Sequence, residues 1–141
     1  MSLRAELDLE ALADNVALLR RLAGPERTFI GSIKANAYGH GAVAIAKALQ
    51  SLGVESLATG SPADVTAMRA AGVALPILLL ACAPPKQTAE LAANGYLTTV
   101  NNHETAAAIS ASVTTSTGVY IKVDAGLGRL GIPMSEALAV I

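Results

Sequence analysis

Short apolar runs, each followed by a stretch with helical spacing, recur along this chain and leave few ways for it to fold. The runs are Thr28–Ile33, Ser56–Thr59, Ile77–Ala81, Leu97–Val100 and Val119–Asp124. Ile77–Ala81 is continuously apolar, and the others carry apolar residues on both faces, the pattern of strands buried on both sides. Between them lie helix signals with punctuation at the ends. Leu9, Leu12, Val16, Leu19 and Ala23 recur at helical intervals and stop at Gly24-Pro25, a helix-ending pair. An alanine-rich helix opens at Ala42, runs through Leu49 and ends by Gly53. Ser61-Pro62-Ala63-Asp64 reads as a helix start, with serine as N-cap, proline first in the helix and an acid at the third position. Gly72 closes that helix. Further helices are expected over Lys86–Ala93, over Glu104–Ser112 behind an Asn102 N-cap, and from Ser135 to Ile141. Ahead of them all, Arg4 to Leu9 alternates polar and apolar residues and predicts a half-exposed strand.

This strand–helix order predicts a parallel sheet with helices packed outside it. The strands recur roughly every 20–30 residues, the pitch of (β/α) units in a barrel, and eight such units need about 250 residues to close. The chain has 141 residues, room for about five units. The expected fold is therefore α/β: a parallel (β/α) barrel with only about the first five βα units present, an incomplete TIM-type barrel, or else a small open sheet. Residues 1–141 are read as the amino-terminal part of such a barrel domain.

Composition narrows the partners. With 52% hydrophobic residues, 15% charged and a net charge of −1, the chain can bury a sizeable core. It lacks the basic block that nucleic acid or an anionic membrane surface would need. Its longest apolar run, Leu75 to Ala83, is too short for a membrane span and contains Pro76. The first residues, with Arg4, Glu6, Asp8 and Glu10, lack a secretory apolar core. The single cysteine, Cys82, cannot pair internally, so a reducing, cytoplasmic location is expected. Its apolar neighbours Leu78 to Ala81 mark it as an inert buried thiol.

The chemistry concentrates in two places. The first is Lys34-Ala35-Asn36-Ala37-Tyr38-Gly39-His40-Gly41, directly after an apolar strand. A lysine at the carboxyl end of a parallel strand stands where α/β folds place chemistry. Desolvated there, it becomes a usable nucleophile or base. Gly39 and Gly41 would let backbone amides approach an anion, and the helix from Ala42 would offer its positive end. Tyr38 could donate its hydroxyl to the same ligand. Together these suggest an amine that forms a Schiff base, with donors for a negative group nearby. His40 and His103 read as surface histidines, and no metal-ligand set is assigned.

The second place is Lys122-Val123-Asp124-Ala125-Gly126-Leu127-Gly128-Arg129-Leu130-Gly131. It matches the spacing of a dinucleotide-binding glycine loop. Pro133, however, implies that any helix starts after the third glycine, whereas the dinucleotide motif embeds that glycine in the helix. The better reading is a loop that carries Arg129 back over the strand ends. The alternative is a lysine and an arginine paired with Asp124 on the surface.

Together the two motifs resemble those of the alanine racemase family, pyridoxal-phosphate enzymes with an amino-terminal (β/α) barrel. The similarity also takes in Ala5 to Leu9, Met68 to Val73 and Pro76 to Leu79. The resemblance implies pyridoxal 5'-phosphate as cofactor, held by Lys34 as an internal aldimine, with Lys34 also one of two racemisation bases. It implies that Tyr38 binds the cofactor phosphate and that Arg129 contacts the phenolic oxygen. Lys122 matches a lysine that is carbamylated in some members and positions that arginine. The implied reaction interconverts L- and D-alanine by α-proton abstraction, in a homodimer, for cell-wall synthesis. The family's carboxy-terminal β-domain, with its tyrosine base, has no counterpart in 141 residues, so this chain alone is expected to be inactive and to self-associate or need a complementary fragment. Ala125-Gly126-Leu127 departs from the family's usual Thr-Gly-Met. That departure keeps open a broad-specificity racemase, a barrel-type decarboxylase, or a non-catalytic cofactor-binding protein.

Overall fold

The computed structural model describes residues 6–81 and 83–140. In order, the elements are α1 (Leu9–Ala23), β1 (Ile30–Ser32), α2 (Lys34–Tyr38), α3 (Ala42–Ser51), β2 (Ser56–Thr59), α4 (Pro62–Ala70) and β3 (Ile77–Leu79). Then come α5 (Pro85–Ala93), β4 (Thr98–Val100), α6 (His103–Ser112), β5 (Val119–Ile121), β6 (Val123–Asp124), β7 (Ile132–Pro133) and α7 (Ala137–Val140).

The strands lie side by side in chain order. β1, β2 and β3 pair in parallel, Ile30 opposite Ser56 and Leu57 opposite Ile77. A parallel bridge joins Leu78 to Leu97, and the Leu79 amide donates to the Leu97 carbonyl at 2.9 Å, which extends the order to β4. β4 pairs in parallel with β5, and β6 with β7. This is the partial TIM-type barrel expected from the spacing of the apolar runs.

The run Val119–Asp124 splits at Lys122 for a reason in the ladder. The Lys122 amide donates to Val100 of β4 at 2.9 Å, while its carbonyl accepts from Ile132 at 2.8 Å. The chain changes partner at this residue, and each backbone group still finds a bond.

Two apolar clusters hold the layers together. Ile33, Ala46, Leu49, Leu57, Val65, Met68 and Ile77 pack where α3 and α4 cover β1 to β3. Burial of each of the larger side chains contributes about 1.5–3 kcal/mol. Ala89, Ala92, Val100 and Ile109 form a second cluster where α5 and α6 meet β4. At Gly31 a Cβ would stand 2.7 Å from Leu49 Cδ1 and 3.2 Å from Leu57 Cδ2, so glycine lets α3 seat closely on the sheet. Outer strands are less covered. Ile30 on β1 and Val119, Tyr120 and Ile121 on β5 are exposed, whereas β3 and β4 are buried throughout.

The expected strand over Arg4–Leu9 is corrected. Arg4 and Ala5 lie outside the described residues, Glu6 to Asp8 form no strand, and Leu9 already begins α1. Asp8 Oδ1 accepts the amides of Glu10 at 2.9 Å and Ala11 at 3.0 Å. Satisfying these otherwise orphaned helix donors outweighs a short alternating pattern. The last helix spans Ala137–Val140 rather than starting at Ser135. Cys82 and Ile141 lie outside the described residues. At α4, Ser61 sits at the N-cap without bonding through its hydroxyl. Thr59 supplies the local link instead, donating to Asp64 Oδ2 at 2.7 Å.

Arg20 ties α1 to the sheet. It donates to the Gly53 carbonyl at 2.6 Å and to Glu55 Oε1 at 3.0 Å, and its guanidinium lies 5.1 Å from the Phe29 ring centre. Among the described residues no helix is long and apolar enough to cross a membrane.

Candidate active site

β1 hands the chain to Lys34 through an unusual turn. Ala35, Asn36, Ala37 and Tyr38 all have φ between 51 and 55, so α2 is a left-handed turn built from non-glycine residues. Such a conformation costs roughly 1–2 kcal/mol per residue, and the surroundings must supply the restraint. The Ala37 amide bonds the Ile33 carbonyl at 2.8 Å, and Ala37 itself is buried in the first cluster. The Gly39 amide bonds Ala35 at 3.1 Å and the Gly41 amide bonds Asn36 at 2.9 Å. Asn36 Oδ1 then accepts the first amide of α3, that of Ala42, at 2.8 Å.

These bonds use the amides of Gly39, Gly41 and Ala42 inside the motif, so the two glycines do not offer their amides to an anion as expected. The Lys34 side chain is exposed rather than desolvated. Its ammonium lies 5.7 Å from the centre of the Tyr38 ring, within range of a cation–π contact.

The second motif forms the loop that sequence spacing suggested. Asp124 Oδ1 accepts the amides of Gly126 at 2.9 Å and Gly128 at 3.1 Å. These bonds, Gly128 first, hold the Asp124 carboxyl below its ordinary range. The loop returns along β7, where the backbone comes so close that a Cβ on Gly131 would stand 2.8 Å from the Asp124 amide nitrogen. The dinucleotide reading is excluded by this geometry, since β7 rather than a helix follows the third glycine.

The two motifs meet at one cavity of about 340 Å³, lined by Lys34, Gly60, Leu80, Ala81, Lys122, Arg129 and Leu130. Lys122 reaches the Leu80 carbonyl at 3.5 Å. Among the described lining residues three side chains are cations and none is a carboxylate, a set that selects an anionic ligand. An amine for a carbonyl carbon and a guanidinium for an anionic oxygen are the functions that pyridoxal phosphate needs, so the residues present fit that group.

Tyr38 falls elsewhere. It lines a neighbouring cavity of about 460 Å³ with Glu6, Asp8, Asn15, Ser32 and His40, and its ring is exposed. His40 is turned back onto its own motif, its Nδ1 2.8 Å from the Ala37 carbonyl, and His103 opens α6. Sequence reasoning missed Asn36 as the cap of α3 and missed Gly60, Leu80 and Ala81 as walls. Asparagine tolerance of positive φ was the available signal for the first. The walls come from strands distant in the chain and carry no local signal.

The family described as alanine racemase, N-terminal domain, matches residues 7–141. Alanine racemase of Desulfovibrio desulfuricans is 37% identical over 138 residues, covering 96% of this chain and 37% of the relative. That of Desulforamulus reducens is 37% identical over 141 residues, covering 97% of this chain and 38% of the relative. The structure of Clostridium difficile 630 alanine racemase in complex with cycloserine superposes with a TM-score of 0.85 at 33% identity, over 94% of this chain and 37% of that one. The chain thus spans little more than a third of the length of these relatives. With the family match extending over nearly its whole length and the fold in agreement, this chain belongs to the family of alanine racemase amino-terminal domains.

Proposed function

We propose that this chain supplies the lysine-bearing part of a pyridoxal-phosphate-dependent amino acid racemase, with alanine as substrate. One observation carries the reading: Lys34, Lys122 and Arg129, from two motifs far apart in sequence, line one cavity that has no carboxylate in its wall. Pyridoxal phosphate, when bound, supplies an aldehyde for an amine and a ring that withdraws electrons from a substrate α-carbon.

In this reading Lys34 would hold the cofactor's aldehyde through Nζ, and the same nitrogen would remove or return the α-proton on its face. Arg129 would donate to the cofactor's phenolic oxygen. Lys122, fixed near the Leu80 carbonyl, supports Arg129, and its carbamylation would give that guanidinium an anionic partner. Tyr38, whose ring centre lies 5.7 Å from the Lys34 ammonium, would hold the phosphate. Residues 1–141 belong to the barrel domain of a cytoplasmic homodimeric enzyme, and the opposite-face base belongs to the remainder of that enzyme.

The test is chemical trapping. The chain is mixed with pyridoxal phosphate, reduced with borohydride, digested and mapped by mass. A single adduct on Lys34, abolished in Lys34→Ala, is the expected result. Label spread evenly over Lys34, Lys47 and Lys86, or no label, refutes the reading.

A further inference from the structure

Asp124 stands outside the cavity wall, yet it governs how the chain reaches it. Arg129 is carried on a loop with glycine at 126, 128 and 131, and each glycine adds backbone freedom that must be frozen for the guanidinium to hold one place. Both side-chain bonds in the first half of that loop end on one oxygen, Asp124 Oδ1, and one of them comes from Gly128, the residue before Arg129. In the second half, Gly131 packs its α-carbon against the Asp124 backbone, and β7 pairs Pro133 opposite Asp124. The loop is thus held at one end by the Asp124 carboxylate and at the other by the Lys122–Asp124 backbone, and Arg129 lies between the fastenings.

We propose that Asp124 is a positioning residue, whose carboxylate holds the Gly126–Gly131 loop so that Arg129 lines the cavity beside Lys34 and Lys122. The proposal deepens the cofactor reading given above and rests on it. Asp124 touches no ligand in this scheme and acts through Arg129 alone.

Absorbance titration with pyridoxal phosphate, with borohydride trapping on Lys34, tests it in Asp124→Ala, Asp124→Asn, Arg129→Ala and the double variant Asp124→Ala/Arg129→Ala. Asp124→Ala is expected to weaken cofactor binding about tenfold, as Arg129→Ala does. Asp124→Asn, whose amide oxygen can accept the same two bonds, is expected to bind within about twofold of wild type. In the Arg129→Ala background, Asp124→Ala should add less than about twofold, because both changes remove one element. If the two losses multiply, or if Asp124→Ala binds like wild type, the positioning role is overturned. Should Asp124→Ala not fold, Asp124→Glu, which keeps the charge but moves the oxygens by one methylene, carries the same expected loss. A wild-type chain that traps no cofactor on Lys34 refutes the site itself and this role with it. Trapping by wild type with unaltered affinity in both Asp124→Ala and Asp124→Glu refutes only the role of Asp124.

Discussion

Replacing Gly131 by alanine tests the loop geometry most sharply, because the nearest atoms its new methyl would meet are all backbone. The built Cβ would stand 2.8 Å from Asp124 N, 3.0 Å from Val123 C and 3.1 Å from the Lys122 carbonyl oxygen. None of these is a side-chain end that can swing aside, and all three belong to the segment that pairs with β7. Overpacking of this kind costs about 1–3 kcal/mol. The φ of +125° at Gly131 adds a further strain of about 1–3 kcal/mol for a residue with a side chain. The sum, about 2–6 kcal/mol, is a large part of the roughly 5–15 kcal/mol that holds a domain folded. Gly126→Ala is the internal control. Gly126 has a comparable φ of +115° but nothing within 4 Å of its Cβ, so it carries the strain without the clash. Urea unfolding followed by circular dichroism should place Gly131→Ala below Gly126→Ala by about 1–3 kcal/mol. Equal losses in the two variants would refute the claim that close backbone approach, beyond conformational freedom, requires glycine at 131.

Two further outcomes are expected. Ala35→Gly should raise stability by about 1 kcal/mol, since glycine takes the left-handed conformation at no steric cost; a loss in urea unfolding, as for glycine in an ordinary helix, would contradict the left-handed turn. The Glu55 carboxyl is held below its ordinary 4.5, chiefly by Arg20 and then by the Phe29 amide. Its folded value is the lower one, so its contribution is present above the ordinary value and disappears as pH falls through the folded one. The stability deficit of Glu55→Gln should therefore be full at neutral pH and vanish in strong acid; a deficit independent of pH would show that the charge contributes nothing.

Sequence by itself determined the repeating order of this protein. Strands buried on both faces carry apolar residues on both, as Leu57 and Ala58 do on β2, and helix stops at Gly24, Gly53 and Gly72 follow from glycine's tolerance of positive φ. It also marked Lys34 and Arg129, whose residue types carry their chemistry wherever they are placed. Asp8 was legible in principle as an N-cap, but alternation over a few residues masked it. The left-handed turn at Ala35–Tyr38 was decided only by tertiary structure. Alanine prefers the right-handed region, and the burial of Ala37, the backbone bonds within the turn and the closure of Asn36 onto Ala42 hold the other hand. The cavity has the same origin. Its walls come from the ends of separate strands, so no local pattern could bring Lys34, Lys122 and Arg129 together. Only the parallel register, which sets those strand ends side by side, places three cations around one space.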